Sequence, residues 1–571
     1  MAMQSICSVL NDAAAELPEK PLFIFPETRW CGEEVLTYGG LVQESAEASR
    51  AISACARRGE RALLLFPAGA AFWEAFMGCL ACGVVAVPLN IPNINRHSAQ
   101  LQEVCRDCSP SVLVTDVKTA ELLNRRADKH PWFSQLAVIT PDHWRAETGQ
   151  SEFDSLTLNR PAFLQYTSGS TASPRGVQIS HANLLANLEM IRDSMRIRVN
   201  EDTGVTWLPH YHDMGLVGGY LETLFTKNTT LCLPPEDFAL RPARWLELIS
   251  ESRASVCGGP GFAYRMCVEK ISQDQLAGLD LSSWRVAYVG AERIRPETLL
   301  RFSEKFQPTG FQESSFFPCY GLGEATLLVT GGPAGEPPQI RRASAAALMH
   351  HRIAAPGSAD DGISLCSSGQ TVSGTDVVIL NTVDSTILPD EMIGEIFLSG
   401  PSLTDGYFNR HDLNQELFRE LTIAGRTQRY LQTGDLGFLA NGQLFITGRT
   451  KEIIIVRGRN LYPEDIEQQV SAAHPALTSA GVVAFSVDCD GEESLVVAVE
   501  MPRAATDMES PENVIAAIHQ CIAAGSGVNP KAILLLPPFS IPRTSSGKPR
   551  RLMIRASYLQ GSLNCVAKEE N

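Results

Sequence analysis

Over its first four hundred or so residues the chain alternates short apolar runs with stretches whose apolar positions recur at helical spacing, and that alternation narrows the fold more than any other feature. The runs include Ala62 to Phe66, Val84 to Val87, Ser111 to Val114 and Leu136 to Ile139, and Leu41 to Ala56 is one of the amphipathic stretches between them. Such a pattern gives parallel or mixed sheets covered by helices, which take ligands at the carboxyl ends of their strands. After Gly448 the texture changes to a basic turn, the run Ile453 to Val456, a helix from about Pro463, and strands at Ser494 to Glu500 and Ala532 to Leu536. We therefore expect an α/β core over residues 1–450 and a small α+β domain over residues 451–571. The segment Gly331 to Gly369, rich in Gly, Pro and Ala, is the least regular part and reads as a loop or an inserted element.

With 571 residues the chain is long enough for several cores. Apolar residues make up 44% and charged residues 20%, which excludes disordered and fibrous classes. The formal net charge of −16 argues against nucleic acid or an anionic membrane as a partner, while leaving room for a local basic pocket around an anionic substrate. No apolar stretch approaches the roughly 20 residues of a membrane span, and no basic leader opens the chain, so the expected location is the cytoplasm. Fifteen scattered cysteines fit a reducing compartment. Cys79-x-x-Cys82 and Cys105-x-x-Cys108 have zinc-knuckle spacing, but the first pair lies in an apolar, helix-like run where a knuckle needs a tight polar turn, so zinc is rejected.

The densest chemistry lies between Tyr166 and Val177, where Thr167, Ser168, Gly169, Ser170, Thr171, Ala172, Ser173, Pro174 and Arg175 follow the apolar run Ala162 to Leu164. Hydroxyls, glycine backbone and one cation are the groups that cradle a polyphosphate. The Walker pattern is absent, because no lysine follows the second glycine, Gly176. Taken alone the stretch is equally a Ser/Thr/Gly surface turn. Further candidates are His210, His212, Asp213, Met214 and Gly215 after Trp207-Leu208-Pro209; Gly290-Ala291-Glu292 after an apolar run; Tyr320-Gly321-Leu322-Gly323-Glu324; Thr433-Gly434-Asp435; Gly448-Arg449-Thr450-Lys451; and Ser545-Ser546-Gly547-Lys548 near the C-terminus.

Each of these alone has an ordinary structural explanation, but their order and company resemble the adenylate-forming (ANL) superfamily. The stretches Trp207 to Leu216, Gly259 to Tyr264, Trp284 to Val286 and Gly458 to Glu467 narrow the resemblance, over nearly the whole chain, to fatty acyl-AMP ligases. The resemblance implies an ATP-dependent, AMP-forming enzyme that activates a medium- or long-chain fatty acid as its adenylate, releases pyrophosphate, and passes the acyl group to the phosphopantetheine of an acyl carrier protein in lipopeptide- or polyketide-type biosynthesis. No carrier domain follows residue 571, so the carrier is expected in trans; oligomeric state is left open. The nearest rivals are an acyl-CoA synthetase, an amino-acid adenylation domain and a decayed adenylate-binding protein.

By the same resemblance Lys548 is the catalytic cation bridging carboxylate and α-phosphate, carried by a mobile small domain that turns about Lys451. His212 lines the acyl-carboxylate end of a pocket with Asp213, Met214 and Gly215, and Glu324 holds Mg²⁺. Thr167, Ser168, Gly169, Ser170, Thr171 and Arg175 cradle the β- and γ-phosphates of ATP. Gly290, Ala291 and the Tyr320 ring frame the adenine, Glu292 and Gly321 belong to the same nucleotide site, and Asp435 with Arg449 takes the ribose. The element at 331–369 sits where the family carries an insertion that restrains the small domain. Two departures stand out: Ala172 where the family has glycine, and Arg175 where it has lysine.

Overall fold

The computed structural model describes residues 5–28, 32–92, 99–130, 132–145, 160–167, 174–358, 361–423, 425–456, 459–477, 480–489, 492–502, 510–543 and 549–570. Its first sheet has six strands in the order Ala137–Ile139, Val112–Thr115, Arg61–Leu65, Val85–Leu89, Pro161–Thr167, Arg175–Ser180. All neighbours are parallel except the last pair, which is antiparallel and brackets the hydroxyl-rich loop. The apolar runs become strands buried on both faces: Leu63 and Leu65 pack on one side, Ala62 and Leu64 on the other. Helix Tyr38–Cys55 and helix Ala70–Cys82 cover one face, and His181–Ser194 leaves the hairpin behind a capping box of Ser180 and Asn183.

A second, longer sheet holds the strands Phe316–Gly321, Val286–Gly290, Val256–Pro260, Thr203–Thr206, Thr229–Cys232 and Pro21–Phe25 side by side and parallel. Beyond Phe316–Gly321 it turns antiparallel and continues through Arg426–Ala440 and Gln443–Arg449. The parallel strands share a direction, so Trp207, Gly261, Ala291 and Leu322 all follow the same edge.

The segment 331–369 is more regular than its composition predicts. Ile340–Ser344 and Gly362–Cys366 form an antiparallel ladder, with helix Ala345–Leu348 between them. Its order comes from packing: Ala343, Leu348 and Leu365 join Phe438, Phe445 and Tyr462 in one apolar cluster. Asn460 donates from its backbone and its amide to the Met349 carbonyl, both at 3.0 Å, and Tyr462 Oη lies 3.3 Å from His351 Nδ1.

The C-terminal residues build their own core around the strands Val482–Cys489, Glu492–Glu500, Ala532–Leu536 and Ala567–Glu570. Helices Pro463–Ala473 and Pro511–Ser526 pack on one face and Arg551–Leu559 on the other. These residues touch the large sheet's edge through a partly buried ion pair, Arg293 Nη1 to Asp465 Oδ1 at 2.5 Å, and helix Ala99–Cys108 beside the first sheet through Arg550 Nη2 to Gln100 Oε1 at 3.1 Å.

Candidate active site

Asp435 and Arg449 face each other across the hairpin of Arg426–Ala440 and Gln443–Arg449, and the register fixes them as a pair. Arg449 Nε lies 2.9 Å from Asp435 Oδ1, and Tyr320 Oη, from the end of a parallel strand, donates to Asp435 Oδ2 at 2.7 Å. Asp435 is buried, and its charge holds the guanidinium above the usual arginine range. Burial, with the Asp435 carboxylate beside it, holds the Tyr320 phenol protonated. Both Asp435 oxygens thus point at hydrogen-bond donors at the sheet edge, the geometry that a diol could also use.

Glu324 sits in the short helical turn Gly323–Ala325. Its Oε1 accepts from Tyr407 Oη at 2.5 Å, and its backbone carbonyl accepts from Thr404 N at 2.9 Å. Burial raises its pKa, which the Tyr407 hydrogen bond partly offsets. Tyr407 is held in turn by Asn414, whose amide accepts from Tyr407 N at 2.8 Å and donates to Tyr407 O at 2.9 Å. The Arg175 guanidinium lies 5.6 Å from the Tyr407 ring centroid. Among the described residues no group of three His, Cys, Asp or Glu side chains could form a metal cage. A single partly buried carboxylate fits an ion that takes its remaining ligands from phosphate and water, as Mg²⁺ does.

Trp207, Leu208 and Pro209 lead from strand Thr203–Thr206 into the turn that carries the histidines. Gly215 is forced here, since a Cβ would stand 2.2 Å from the Pro209 carbonyl oxygen. His212 precedes helix Asp213–Gly215, with Nδ1 3.9 Å from Asp213 Oδ1 and a partly exposed ring. His210 is buried against Phe72, ring centroids 4.1 Å apart, and burial pushes its pKa down to about 3. Gln165 Nε2 donates to Tyr211 O at 2.8 Å, so this turn is tied to the strand that enters the hydroxyl-rich loop. Trp207 stacks on Phe238 at 4.0 Å and meets Phe262 edge-on at 5.8 Å, which makes an aromatic wall beside it.

Gly290 ends a parallel strand and Ala291 follows at φ 63°, a left-handed backbone that costs a non-glycine residue about 1 kcal/mol. Glu292 was expected beside the nucleotide; its Oε1 accepts from Phe262 N at 2.8 Å and so caps helix Gly261–Lys270. Gly321 closes strand Phe316–Gly321. Thr167 and Arg175 are register partners at the mouth of the hairpin. Ser168, Gly169, Ser170, Thr171, Ala172 and Lys548 lie outside the described residues. Lys451 lies in the turn between Gln443–Arg449 and Ile454–Val456, where Thr450 N donates to Gly434 O at 2.9 Å.

Sequence reasoning missed Tyr407 and Asn414. A signal was there, since Thr404-Asp405-Gly406-Tyr407 combines turn residues with an aromatic, but nothing linked it to Glu324.

The chain matches the family model described as AMP-binding enzyme over residues 10–408, and the model described as Disco-interacting protein 2-like, AMP domain, over residues 451–568. It is 37% identical to the medium-chain-fatty-acid–[acyl-carrier-protein] ligase JamA of Moorena producens, over 89% of this chain and 87% of that one. It is 32% identical to the 4-hydroxyphenylalkanoate adenylyltransferase of Mycobacterium tuberculosis, over 98% and 92%. A solved structure from work on fatty acyl-adenylate ligases of E. coli and L. pneumophila superposes with a TM-score of 0.85 at 34% identity, covering 98% of both chains.

Proposed function

We propose that this chain, which belongs to the AMP-binding enzyme family, hands the acyl group of its adenylate product to the phosphopantetheine of a carrier protein supplied in trans. The first half of the reaction is that of a fatty acyl-AMP ligase: a fatty acid and ATP give acyl-AMP and pyrophosphate. What carries the reading is the cluster of Tyr320, Asp435 and Arg449 at the sheet edge that also bears Glu324, within a chain whose fold and sequence match acyl-adenylate ligases end to end.

Attack of a carboxylate on the α-phosphorus needs no general base, because the nucleophile is already ionised. Its barrier is repulsion between anions, so catalysis rests on positioning and charge. We assign Asp435 to the ribose hydroxyls, with Arg449 fixing the carboxylate. Tyr320, Gly321, Gly290 and Ala291 border the adenine, and Glu292 acts one step back by holding helix Gly261–Lys270. Glu324 would hold Mg²⁺, which supplies charge neutralisation at the phosphates. Thr167, Ser168, Gly169, Ser170, Thr171 and Arg175 are assigned to the phosphates, Lys548 to the carboxylate and α-phosphate, and His212, Met214 and Gly215 to the carboxylate end of the acyl pocket, with Asp213 steadying the turn through its hydrogen bond from Met214 N at 2.7 Å.

We further propose two units, residues 1–450 and 451–571, hinged at Lys451, with the ladder at 340–344 and 362–366 restraining the smaller one. A cytoplasmic location is supported by the cysteines, all of which are free among the described residues. No described helix is long and apolar enough to cross a membrane.

The reading is tested by incubating the purified protein with dodecanoic acid, Mg-ATP, CoA and a phosphopantetheinylated carrier protein, followed by mass spectrometry. Dodecanoyl-AMP and acylated carrier with little dodecanoyl-CoA is the expected result. Abundant dodecanoyl-CoA would make the chain a CoA synthetase. The two relatives named above differ, by name, at the far end of the acyl group, so the chain's specificity has to be sought there.

A further inference from the structure

Cys105 and Cys108, rejected above as zinc ligands, lie on helix Ala99–Cys108 and are buried in an apolar cluster with Leu63, Leu113 and Leu164, against which Tyr166 and Phe408 pack. The C-terminal end of this helix is fastened to the first sheet. Arg61, the first residue of strand Arg61–Leu65, donates from Nε to Cys108 O at 2.6 Å and from Nη2 to Ser109 O at 2.9 Å. Carbonyls at a helix end have no partner within the helix, so an arginine there both satisfies them and fixes the end in place. The same guanidinium lies 5.4 Å from the Phe408 ring centroid. Asp107 sits on this fixed post with its side chain 6% exposed.

Its two carboxylate oxygens serve two different segments. Oδ2 accepts from Tyr166 Oη at 2.6 Å, and Oδ1 lies 2.6 Å from Arg410 Nη2. Burial above all keeps the Tyr166 phenol protonated, so the phenol is the donor. Tyr166 immediately precedes Thr167 and is the register partner of Gly176. A Cβ on Gly176 would stand 2.8 Å from the phenol carbon Cζ, so glycine there leaves the room in which the ring reaches Asp107. Arg410 follows Tyr407 by three residues, its N–H donates to Tyr407 O at 3.4 Å, and the Tyr407 phenol holds Glu324.

Neighbouring side chains on a strand point to opposite faces. Gln165 is held on one face by Tyr211 O and Tyr166 on the other by Asp107, so the strand that delivers Thr167 is pinned from both sides. Through Arg410 the same carboxylate also fixes the segment that delivers Tyr407. These are the two walls assigned above to the β- and γ-phosphates and their metal ion. The ribose cluster of Tyr320, Asp435 and Arg449 stands on other strands. Hydrogen bonds to a carboxylate are shorter and stronger than neutral ones, which suits a group that must hold two segments at a set distance.

We propose that Asp107 is a positioning residue for the polyphosphate end of ATP: it sets the mouth of the hairpin, Thr167 and Arg175, against Glu324, and leaves the AMP part of the nucleotide to other groups. The inference rests on the ligase reading above. ATP and AMP share adenine, ribose and α-phosphate, so a change at Asp107 should separate them.

The test is pyrophosphate release by the full-length enzyme from Mg-ATP and dodecanoic acid, reading three constants: KM for ATP, KM for dodecanoic acid, and the inhibition constant of added AMP. Asp107→Asn keeps the volume of the side chain and removes the charge facing Arg410. KM for ATP should rise ~10-fold or more, while the other two constants stay within about 2-fold of wild type. Tyr166→Phe and Arg410→Gln each cut one arm and should give a smaller rise of the same pattern, and Arg410→Lys, which keeps a cation opposite Asp107, should recover part of it. Asp435→Asn is the control, since loss of a ribose contact should weaken ATP and AMP together. If Asp107→Asn does not fold, Tyr166→Phe, which loses one hydroxyl, carries the test. Three constants that move together would reduce Asp107 to a support of the fold, and an unchanged KM for ATP would remove its role; either result overturns the proposal. A wild type that releases no pyrophosphate with any fatty acid overturns the ligase reading and this inference with it, whereas an active wild type whose variants do not separate ATP from AMP overturns this inference alone.

Discussion

The Tyr407 phenol donates a 2.5 Å hydrogen bond to Glu324, 83 residues earlier in the chain. The contact exists because Tyr407 is stitched to the strand after the hydroxyl-rich loop: Phe408 N donates to Gly176 O at 2.8 Å, and Gln178 N to Gly406 O at 3.0 Å. The strand that begins with Arg175 and the carboxylate assigned to the metal are thus one assembly. Arginine at this position lays a planar cation beside the Tyr407 ring, which a lysine ammonium does less well.

Tyr407→Phe removes one hydrogen bond from a partly buried carboxylate and little else. A hydrogen bond to a charged group contributes about 1.5–3 kcal/mol, so kcat/KM for ATP should fall at least ~10-fold, with half-saturation by Mg²⁺ moved to higher concentration. A Mg²⁺ titration of pyrophosphate release reads both. An unchanged Mg²⁺ requirement would show that Tyr407 does not position Glu324.

Asp435→Asn keeps the size of the side chain and removes the charge that faces Arg449. Arg449 is half exposed, which limits the cost of losing the pair, but Asp435 is buried and also accepts from Tyr320, so a modest fall in melting temperature is expected as well. Among the kinetic constants the expected effect is on the nucleotide, a KM for ATP raised ~10-fold or more while KM for the fatty acid stays put. Equal rises in both would place Asp435 in the fold rather than at the ribose.

The strands of the first sheet were legible because burial on both faces writes itself as unbroken apolar runs: Leu63-Leu64-Leu65 has no polar alternation to misread. The ladder at 340–344 was not, since Arg341 and Arg342 precede its two buried positions and its order comes from packing against Phe438 and Tyr462, about a hundred residues away. Asp435 and Arg449 could be named from motif, and their facing register follows from a hairpin. The Tyr320 contact to Asp435 spans 115 residues and belongs to folding alone. Asp107 was invisible for a different reason: an aspartate in a helical pattern reads as solvent-facing, and only the structure shows its side chain enclosed between Tyr166 and Arg410.

Acid should destabilise the protein before its carboxylates are all protonated. Burial holds His210 at a pKa of about 3 and His181 at about 4, below the 6.5 of a free imidazole. Between those values the unfolded chain binds protons that the folded chain does not, so stability rises with pH through this window and is lost as pH falls below about 6.5. Melting curves from pH 7.5 to 4.5 check this, and His210→Gln should flatten the slope. A slope that the substitution leaves untouched would assign the acid sensitivity elsewhere.

Arg551 offers the sharpest test of how the small unit serves catalysis. It is three residues beyond Lys548, and its guanidinium is buried between two carboxylates: Glu452, one residue beyond the assigned hinge Lys451, and Glu467 Oε1 at 2.7 Å, while Nε donates to Ala484 O at 2.8 Å. Burial pushes the Glu467 pKa up to about 7, and the neighbouring guanidinium opposes that rise. Truncation by Arg551→Ala would leave both acids uncompensated and cost about 3–5 kcal/mol, a large share of a domain's stability. Glu452→Gln is the milder probe, because it cuts only the arm that reaches the hinge and leaves Glu467 paired. If that arm sets the swing between half-reactions, Glu452→Gln should change the ratio of adenylate formation to acyl transfer several-fold, with ATP affinity and melting temperature close to wild type. Both rates unchanged would reduce the Arg551 cluster to a structural clamp, and a fall in ATP affinity would place its effect in the large unit instead.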